Sequence, residues 1–470
     1  MKNKIIQAGM GIGVSNWRLA NKVSSLGQIG VVSSTELDVV LIRRLQDGDL
    51  DGSVRRAMSQ FIDPEFSGEI IKKYFIENGK GAGIPYVSIP MLTEKTSLER
   101  TKLLVLANFV EVYLAKEGHS GIIGINFLEK VQLPVLPSLY GAMLAGVDCV
   151  LMGAGIPREI PGILDKLSRY EDVEYKLAVK GAEPTDNFLL TFSPLNTFNN
   201  MRPKIFRPKF YAIVSSNVLA LTLSKKTQNP VDGFVIEAPT AGGHNAPPRG
   251  KLQLNDRGEP VYGERDKVDL KAIAEIGLPF WLAGDRGSSA GYVDAIEKGA
   301  AGVQVGTAFA LCEESGLTES LRMQIIEKAV NKNLDVKTDP SASPTGFPFK
   351  VAQLSGTLSD EMLYQERERR CDLGYLREAY KKTDGKIGFR CSAEPVEQYL
   401  KKGGELADTV GKKCLCNGLM ADIGLAQVSK NKIELPLVTI GDDVKNISQF
   451  VKFGSNTFTA KDVIDTILHV

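Results

Sequence analysis

The stretch "VIEAPTAGGHNAPPRG" (235–250) ends an apolar run in a carboxylate, Glu237, and follows it with Thr240, the pair Gly242-Gly243, and His244. His244 is one of only three histidines in 470 residues. Its imidazole titrates near neutrality when unperturbed, which suits it to donate a hydrogen bond or a proton to a bound substrate. A histidine satisfied by backbone groups is the plain alternative, but the position after a strand-like run and two glycines favours the chemical role. His119, in "KEGHSG", reads as a helix C-terminus, where a cation is favoured. His469 stands next to last, and neither of these two is given a function.

Other apolar runs also end in glycine: Gly9-Met10-Gly11, Gly153-Ala154-Gly155, Gly284, Gly287 and Gly306. Glycine lets main-chain N–H groups approach a ligand closely. The segment "LAGDRGSSAGYVDAIEKGAAGVQVGTAF" (282–309) reads strand, glycine turn, helix, strand, Gly-Thr. Amides after two such strands, with a helix N-terminus capped by Ser288 or Ser289 and the hydroxyl of Thr307, suit a phosphate. Tight turns alone would use the same glycines. Asn126 offers an amide to a polar ring edge or makes a turn. Met10 offers an apolar contact or belongs to the core.

Cys371, Cys391, Cys414 and Cys416 fall within 46 residues. A C-x-C pair with two further thiols is a possible zinc or iron–sulfur ligand set. Two C-x₂-C knuckles are lacking, so four thiols packed as small hydrophobes is the preferred reading and no metal is assigned. Cys149 and Cys312 read as packing residues.

These groups need a scaffold that brings strand ends together. Eight short apolar runs supply it: "IIQAG" (5–9), "IGVVSS" (29–34), "IIGIN" (122–126), "DCVLMG" (148–153), "FYAIVSS" (210–216), "GFVIEA" (233–238), "PFWLAG" (279–284) and "AGVQVG" (301–306). Helical patterns such as "NWRLANKVSSLG" and "GYVDAIEKGA" lie between several of them. Continuous apolar strands alternating with helices indicate a parallel sheet buried on both faces, and eight units favour a closed (β/α)₈ TIM barrel with function at the C-terminal strand ends. An open doubly wound sheet is the alternative, weakened because no G-x-G-x-x-G turn follows the first strand. Residues of about 35–120 and 165–208 are too long for single connections and read as helical insertions. The expected division is a barrel over 1–340 and a mostly helical, cysteine-containing appendage over 341–470. The basic stretch "QERERRCDLGYLREAYKK" (365–382) reads as a solvated helix face, or as a docking surface for an acidic carrier protein.

Bulk composition is that of an ordinary globular chain, 43% hydrophobic and 24% charged, with 57 Lys plus Arg against 56 Asp plus Glu. A net charge of +1 argues against nucleic acid as the main partner. No apolar run is long enough to span a membrane and no signal-peptide pattern opens the sequence, so a cytoplasmic protein is expected.

Together "IIQAGMG", "VLMGAGIP", "AIVSSNVLA", "EAPTAGGHN" and "VQVGTAFALCEES", over residues of about 5–315, resemble the flavin-dependent nitronate monooxygenase (2-nitropropane dioxygenase-like) family. Over nearly the whole length, "PTAGGHNAPPRG", "DPSASPTGFPFK", "CDLGYLR" and "KKCLCNGL" look like the trans-acting enoyl reductases of polyunsaturated-fatty-acid and polyketide synthases. The resemblance implies FMN, its phosphate at Gly284, Gly287, Gly306 and Thr307 and its ring near Gly9, Met10, Gly11 and Asn126. Ser215, Glu237, Gly242 and Gly243 would lie close by, and His244 would be catalytic. It implies NAD(P)H as reductant and an enoyl thioester on an acyl carrier protein as substrate, with homo-oligomer or synthase association possible. The alternatives are oxidation of a small nitronate with O₂, or a non-catalytic flavin-binding assembly subunit. Asp285 stands where many relatives carry glycine, and an acidic side chain there would repel a phosphate unless turned away.

Overall fold

In the computed structural model, which describes residues 2–225, 227–452 and 455–469, the eight apolar runs become one all-parallel sheet. Its strands are β1 (Ile5–Gln7), β2 (Gly30–Ser33), β3 (Ile123–Leu128), β4 (Cys149–Gly153), β5 (Lys209–Val214), β6 (Gly233–Glu237), β7 (Phe280–Ala283) and β8 (Gly302–Val305). The order is β1-β8-β7-β6-β5-β4-β3-β2, so each strand lies beside its neighbour in sequence. A parallel bridge between Ile6 and Ile29 joins β1 to the start of β2. Two main-chain bonds support it, Gln7 N–H to Ile29 O and Ile29 N–H to Ile5 O, each 3.0 Å. The ring is thereby closed as a (β/α)₈ barrel.

The interior is packed, as such barrels require. Ile6, Val31, Leu151, Tyr211, Val235 and Trp281 fill it, with Cys149 among them. Cys149 is fully buried and desolvation pushes its thiol up to about 12, so it behaves as the expected packing residue. Outside, the helices that follow the strands cover the sheet, which is why each strand is buried on both faces.

Between β2 and β3 lie the helices Leu37–Gln46, Ser53–Met58, Pro64–Tyr74 and Leu98–Lys116, a helical insertion as its periodicity indicates. Residues of about 165–208, expected as a helical insertion, hold strands as well as a helix. Besides the four-residue helix Pro194–Thr197, that segment forms the antiparallel hairpin Val173–Lys176 with Leu189–Phe192. The local sequence Val-Glu-Tyr-Lys alternates buried and exposed with period two, which a helix cannot use and a half-covered strand can.

Residues 341–470 carry the helices Glu361–Glu366, Val396–Lys401, Leu415–Asp422 and Ala460–Leu468, with short strands between some of them. Phe349–Ala352 pairs with Val336–Asp339, and Glu378–Lys381 pairs with both Ile387–Arg390 and Val179–Lys180 of the second insertion. The stretch 365–382 is not a continuous helix face: its helix stops at Glu366, Gly374 has φ +71°, and a strand begins at Glu378. Several of its polar groups turn inward. Arg367 pairs with Glu434 at 2.6 Å, and Tyr375 donates to the fully buried Asp38, which also pairs with Arg100. Among the described residues no helix is long and apolar enough to cross a membrane.

Candidate active site

A cavity of about 420 Å³ opens at the C-terminal ends of the strands. Its floor is made by loop starts. After β1, the loop Ala8–Ser15 is tied down by Gln7, whose Nε2 donates to Ser15 Oγ at 2.7 Å while its Oε1 accepts Val31 N–H at 2.9 Å. Ser15 Oγ in turn donates to Ala8 O and accepts Met10 N–H. Gly9, Met10 and Gly11 are thus held against the cavity. Gly9 must be glycine: a Cβ there would lie 2.2 Å from Asn126 Cβ. Asn126, within β3, reaches the same cavity.

From β5, β6, β7 and β8 the cavity receives Ser215, Glu237, Gly284 and Gly306, with Thr307 beyond and Gly242, Gly243 and His244 on the β6 loop. The residues singled out from the sequence as site candidates reach one cavity, except Gly287, Ser288, Ser289 and the cysteines. Gly287 is not on the wall. Its N–H donates to Asp443 Oδ2 at 2.7 Å, so a carboxylate of the C-terminal segment holds the amide expected to face a phosphate. Ser288, as expected, caps the next helix by accepting Gly291 N–H at 3.0 Å.

Asp285 lines the cavity, and its charge is paired there by Lys445. The residue has φ +54°, a conformation glycine adopts freely, and its carboxylate accepts from Lys445 Nζ at 2.6 Å. It turns toward a cation of the C-terminal segment.

Burial sets the protonation of the two central groups. It alone pushes Glu237 up to about 8, so the carboxyl carries its proton at neutral pH. It also lowers His244 to about 4, so the imidazole is neutral there. His244 Nε2 lies 2.7 Å from Ser343 Oγ, which is 2.8 Å from Thr345 Oγ1. The ring stands edge-on to Phe349, centroids 4.8 Å apart. The loop is pinned on both sides: Lys350 N–H donates to Gly243 O, and Gly243 N–H to Thr439 Oγ1 at 2.8 Å. The other two histidines stay outside. His119 Nε2 meets the Ala115 carbonyl at a helix C-terminus, and His469 meets Asp465 O.

Sequence reasoning missed the far wall of the cavity. Phe347, Phe349, Thr439, Gly441 and Asp443 close it, all from beyond residue 340. Two polar atoms at the cavity are buried without a hydrogen-bond partner, Thr240 Oγ1 and Gln304 Oε1. Such groups are costly unless a ligand or water meets them. The cavity can therefore take a mostly apolar molecule with a few polar edges.

No family model matches the chain, and no curated protein matches it. Among solved structures, the enoyl reductase domain of MlnA from the macrolactin biosynthesis cluster of Bacillus amyloliquefaciens aligns with a TM-score of 0.50 at 11% identity, covering 99% of this chain and 93% of that one. The two share a fold. FabK from Thermotoga maritima aligns at a TM-score of 0.48 and 14% identity, over 100% of this chain and 92% of that one. Nitroalkane oxidase from Streptomyces ansochromogenes aligns at 0.45 and 13%, over 99% and 94%.

Proposed function

We propose that the chain is a flavin-dependent oxidoreductase that reduces the double bond of an enoyl thioester, FMN being its cofactor and NAD(P)H its reductant. The observation that carries this reading is the arrangement of the cavity: a glycine-lined barrel mouth with orphaned polar atoms on Thr240 and Gln304, and His244 and Glu237 facing the same space. The residues present fit FMN. Gly9, Met10, Gly11 and Asn126 would border the ring, and Gln304 and Thr240 would meet its polar edge. Gly284, Gly306 and Thr307 would hold the phosphate, with Lys445 neutralising the Asp285 carboxylate on the same wall. When bound, flavin supplies the electron pair that the protein's own side chains lack.

The chain's own part is polarisation and proton supply. A neutral His244, held by Ser343, donates one N–H to the thioester carbonyl rather than acting as an imidazolium acid. Glu237 still carries a proton at neutral pH and serves as the acid for the carbon that must receive one. A held proton favours reduction over oxidation of a nitronate, which needs no proton delivered. At the rim, Ile156 is 56% exposed, and it and Leu219 give the cavity wall apolar surface for an acyl chain. A thioester presented on an acyl carrier protein is the substrate form this reading takes.

The test is optical. The purified protein should show flavin absorbance, bleach on anaerobic NAD(P)H addition, and regain colour with an enoyl thioester. Bleaching by an alkyl nitronate but not by NAD(P)H would establish nitronate oxidation instead. A protein that stays colourless with added FMN would point to an assembly subunit.

A further inference from the structure

The four clustered cysteines line a small pocket of their own, and among the described residues no three ligating side chains stand together to hold a metal ion. The outer rim of the main cavity is built differently. The loops after β3, β4, β5 and β6, four strands that are neighbours in the barrel, supply one side of that rim. Ile156, in the β4 loop, lines the cavity and is exposed, and Val218, at the start of the helix Asn217–Lys225 after β5, is 72% exposed. The β6 loop runs past Ala246, another cavity residue, into a small hairpin closed by Val261 N–H to Gln253 O and Asn255 N–H to Glu259 O, both 2.9 Å. Leu252, Leu254 and Val261 are exposed there. Tyr262 OH donates to Ala246 O at 3.0 Å and Arg249 Nη2 to Ser215 O at 3.0 Å, so the hairpin is tied back to the mouth.

Cations are interspersed with this apolar surface. Lys130, in the β3 loop, lies over the ring of the cavity residue Phe347, 5.6 Å from its centroid. Arg158 follows Ile156 closely in the β4 loop, and Arg249 and Lys251 lead into the β6-loop hairpin. All four are exposed, and among the described residues none has a carboxylate within ion-pair distance. The acids of the same loops are taken up by the protein itself. Glu129 accepts from Tyr175 OH, Glu159 accepts Lys176 N–H, Glu259 pairs with Arg257, and Glu264 pairs with Lys267. Asp266 accepts the main-chain N–H groups of Arg249 and Gly263, and Asp269 caps the helix Leu270–Ala274. Asp256, in the hairpin turn, is the exposed exception. Exposed apolar side chains among free cations suit an acidic partner: burial supplies affinity, and charge sets orientation and encounter rate.

We propose that this arc of the rim is the docking face for an acidic carrier protein, whose thioester-bearing arm enters the cavity past Ile156 and Arg249. The proposal rests on the reading of the cavity as the site of enoyl-thioester reduction and adds to it a place for the partner. The basic stretch 365–382 is not free for that role, since Arg367 is spent on Glu434 and Tyr375 on Asp38. A tethered substrate also accounts for apolar surface that continues outward from the cavity, which a small free thioester would not use.

The experiment compares two substrates on the flavin-loaded, full-length protein. One is a crotonyl group on the phosphopantetheine arm of an acidic acyl carrier protein. The other is the same group on N-acetylcysteamine, which has neither phosphate nor protein. The wild type should show the lower KM for the carrier-borne thioester. Arg158→Glu and Lys251→Glu should each raise that KM by roughly three- to tenfold at low salt with kcat unchanged, and the effect should shrink as added salt screens the charges. Val218→Asn should raise the same KM without that salt dependence. None of the three should change KM or kcat for the N-acetylcysteamine thioester, and Lys72→Glu, in the first helical insertion, should change neither substrate's kinetics. Equal effects on both substrates, or none on either, would overturn the docking face. So would a raised KM for NADPH, which would assign the cations to the reductant's phosphate, or a dimer that Val218→Asn dissociates in sedimentation, which would make a second copy the occupant. A wild type that reduces the free thioester without preferring the carrier-borne one refutes the docking face and leaves the reading of the cavity standing; a wild type that reduces neither refutes both.

Discussion

Glu237→Gln isolates the half-buried carboxyl at the barrel mouth without changing its size. Burial raises the Glu237 pKa from 4.5 to about 8, so the folded protein binds its proton more tightly than the unfolded chain. A raised folded-state pKa gives stability that is fully present below 4.5 and is lost as pH rises through 8. At about 1.4 kcal/mol per unit, and with the group half-titrated at the upper end, raising pH from about 6 to about 8 removes roughly 2.3 kcal/mol, which water entering the cavity trims to about 1–2 kcal/mol. Glu36 is also raised to about 8 by burial and titrates over the same window, so the wild-type slope alone decides nothing. The difference between wild type and Glu237→Gln does. Urea denaturation of the flavin-free protein at several pH values should show the variant losing less stability than wild type as pH rises. If the two curves run parallel, Glu237 is not held protonated, and it cannot be the proton source. The same logic requires turnover of the wild type to fall above about pH 8 and turnover of the glutamine variant to be low throughout.

Other outcomes follow from named contacts. His244→Ala should keep flavin but lower turnover by about 10²–10⁴-fold, measured by steady-state NAD(P)H oxidation with an enoyl thioester. Gly9→Ala would place a Cβ 2.2 Å from Asn126 Cβ, well inside contact distance. An overpacking cost of about 1–3 kcal/mol and weakened flavin retention should appear in thermal melts and in gel filtration of the loaded protein. Tyr375→Phe removes the hydroxyl that donates to the fully buried Asp38, and should cost about 1–3 kcal/mol in chemical denaturation.

The barrel was legible because each strand announces itself locally. Runs such as "DCVLMG" and "GFVIEA" are short, apolar and ended by a small residue, and their number limits the sheet to few closures. The site candidates at strand ends were legible for the same reason, since position on a barrel rim follows from position in a strand. Gly287 misled because the pattern that suits a phosphate turn equally suits an amide bonded to Asp443, and no local signal distinguishes them. The far wall was hidden for a related reason. Ser343 meets His244 across 99 residues and Thr439 meets Gly243 across 196, contacts that leave no periodicity in the sequence. "TDPSASPTGFPFK" stood out only as a Pro/Ser/Gly loop, although Ser343 and Phe349 within it hold the imidazole. In the second insertion the alternation Val-Glu-Tyr-Lys was too short to outweigh the length of the connection.

The double anchoring of the β6 loop has a consequence for anyone dividing the molecule. Its imidazole is positioned by Ser343 and Phe349 on one side, and its glycine by Thr439 on the other. A barrel cut away near residue 340 would lose the Ser343, Phe349 and Thr439 contacts that steady this loop. Tags, fusions and chimeras therefore belong at the outer surface of the chain's last third and never at the seam, because here the scaffold and its cover make a single instrument.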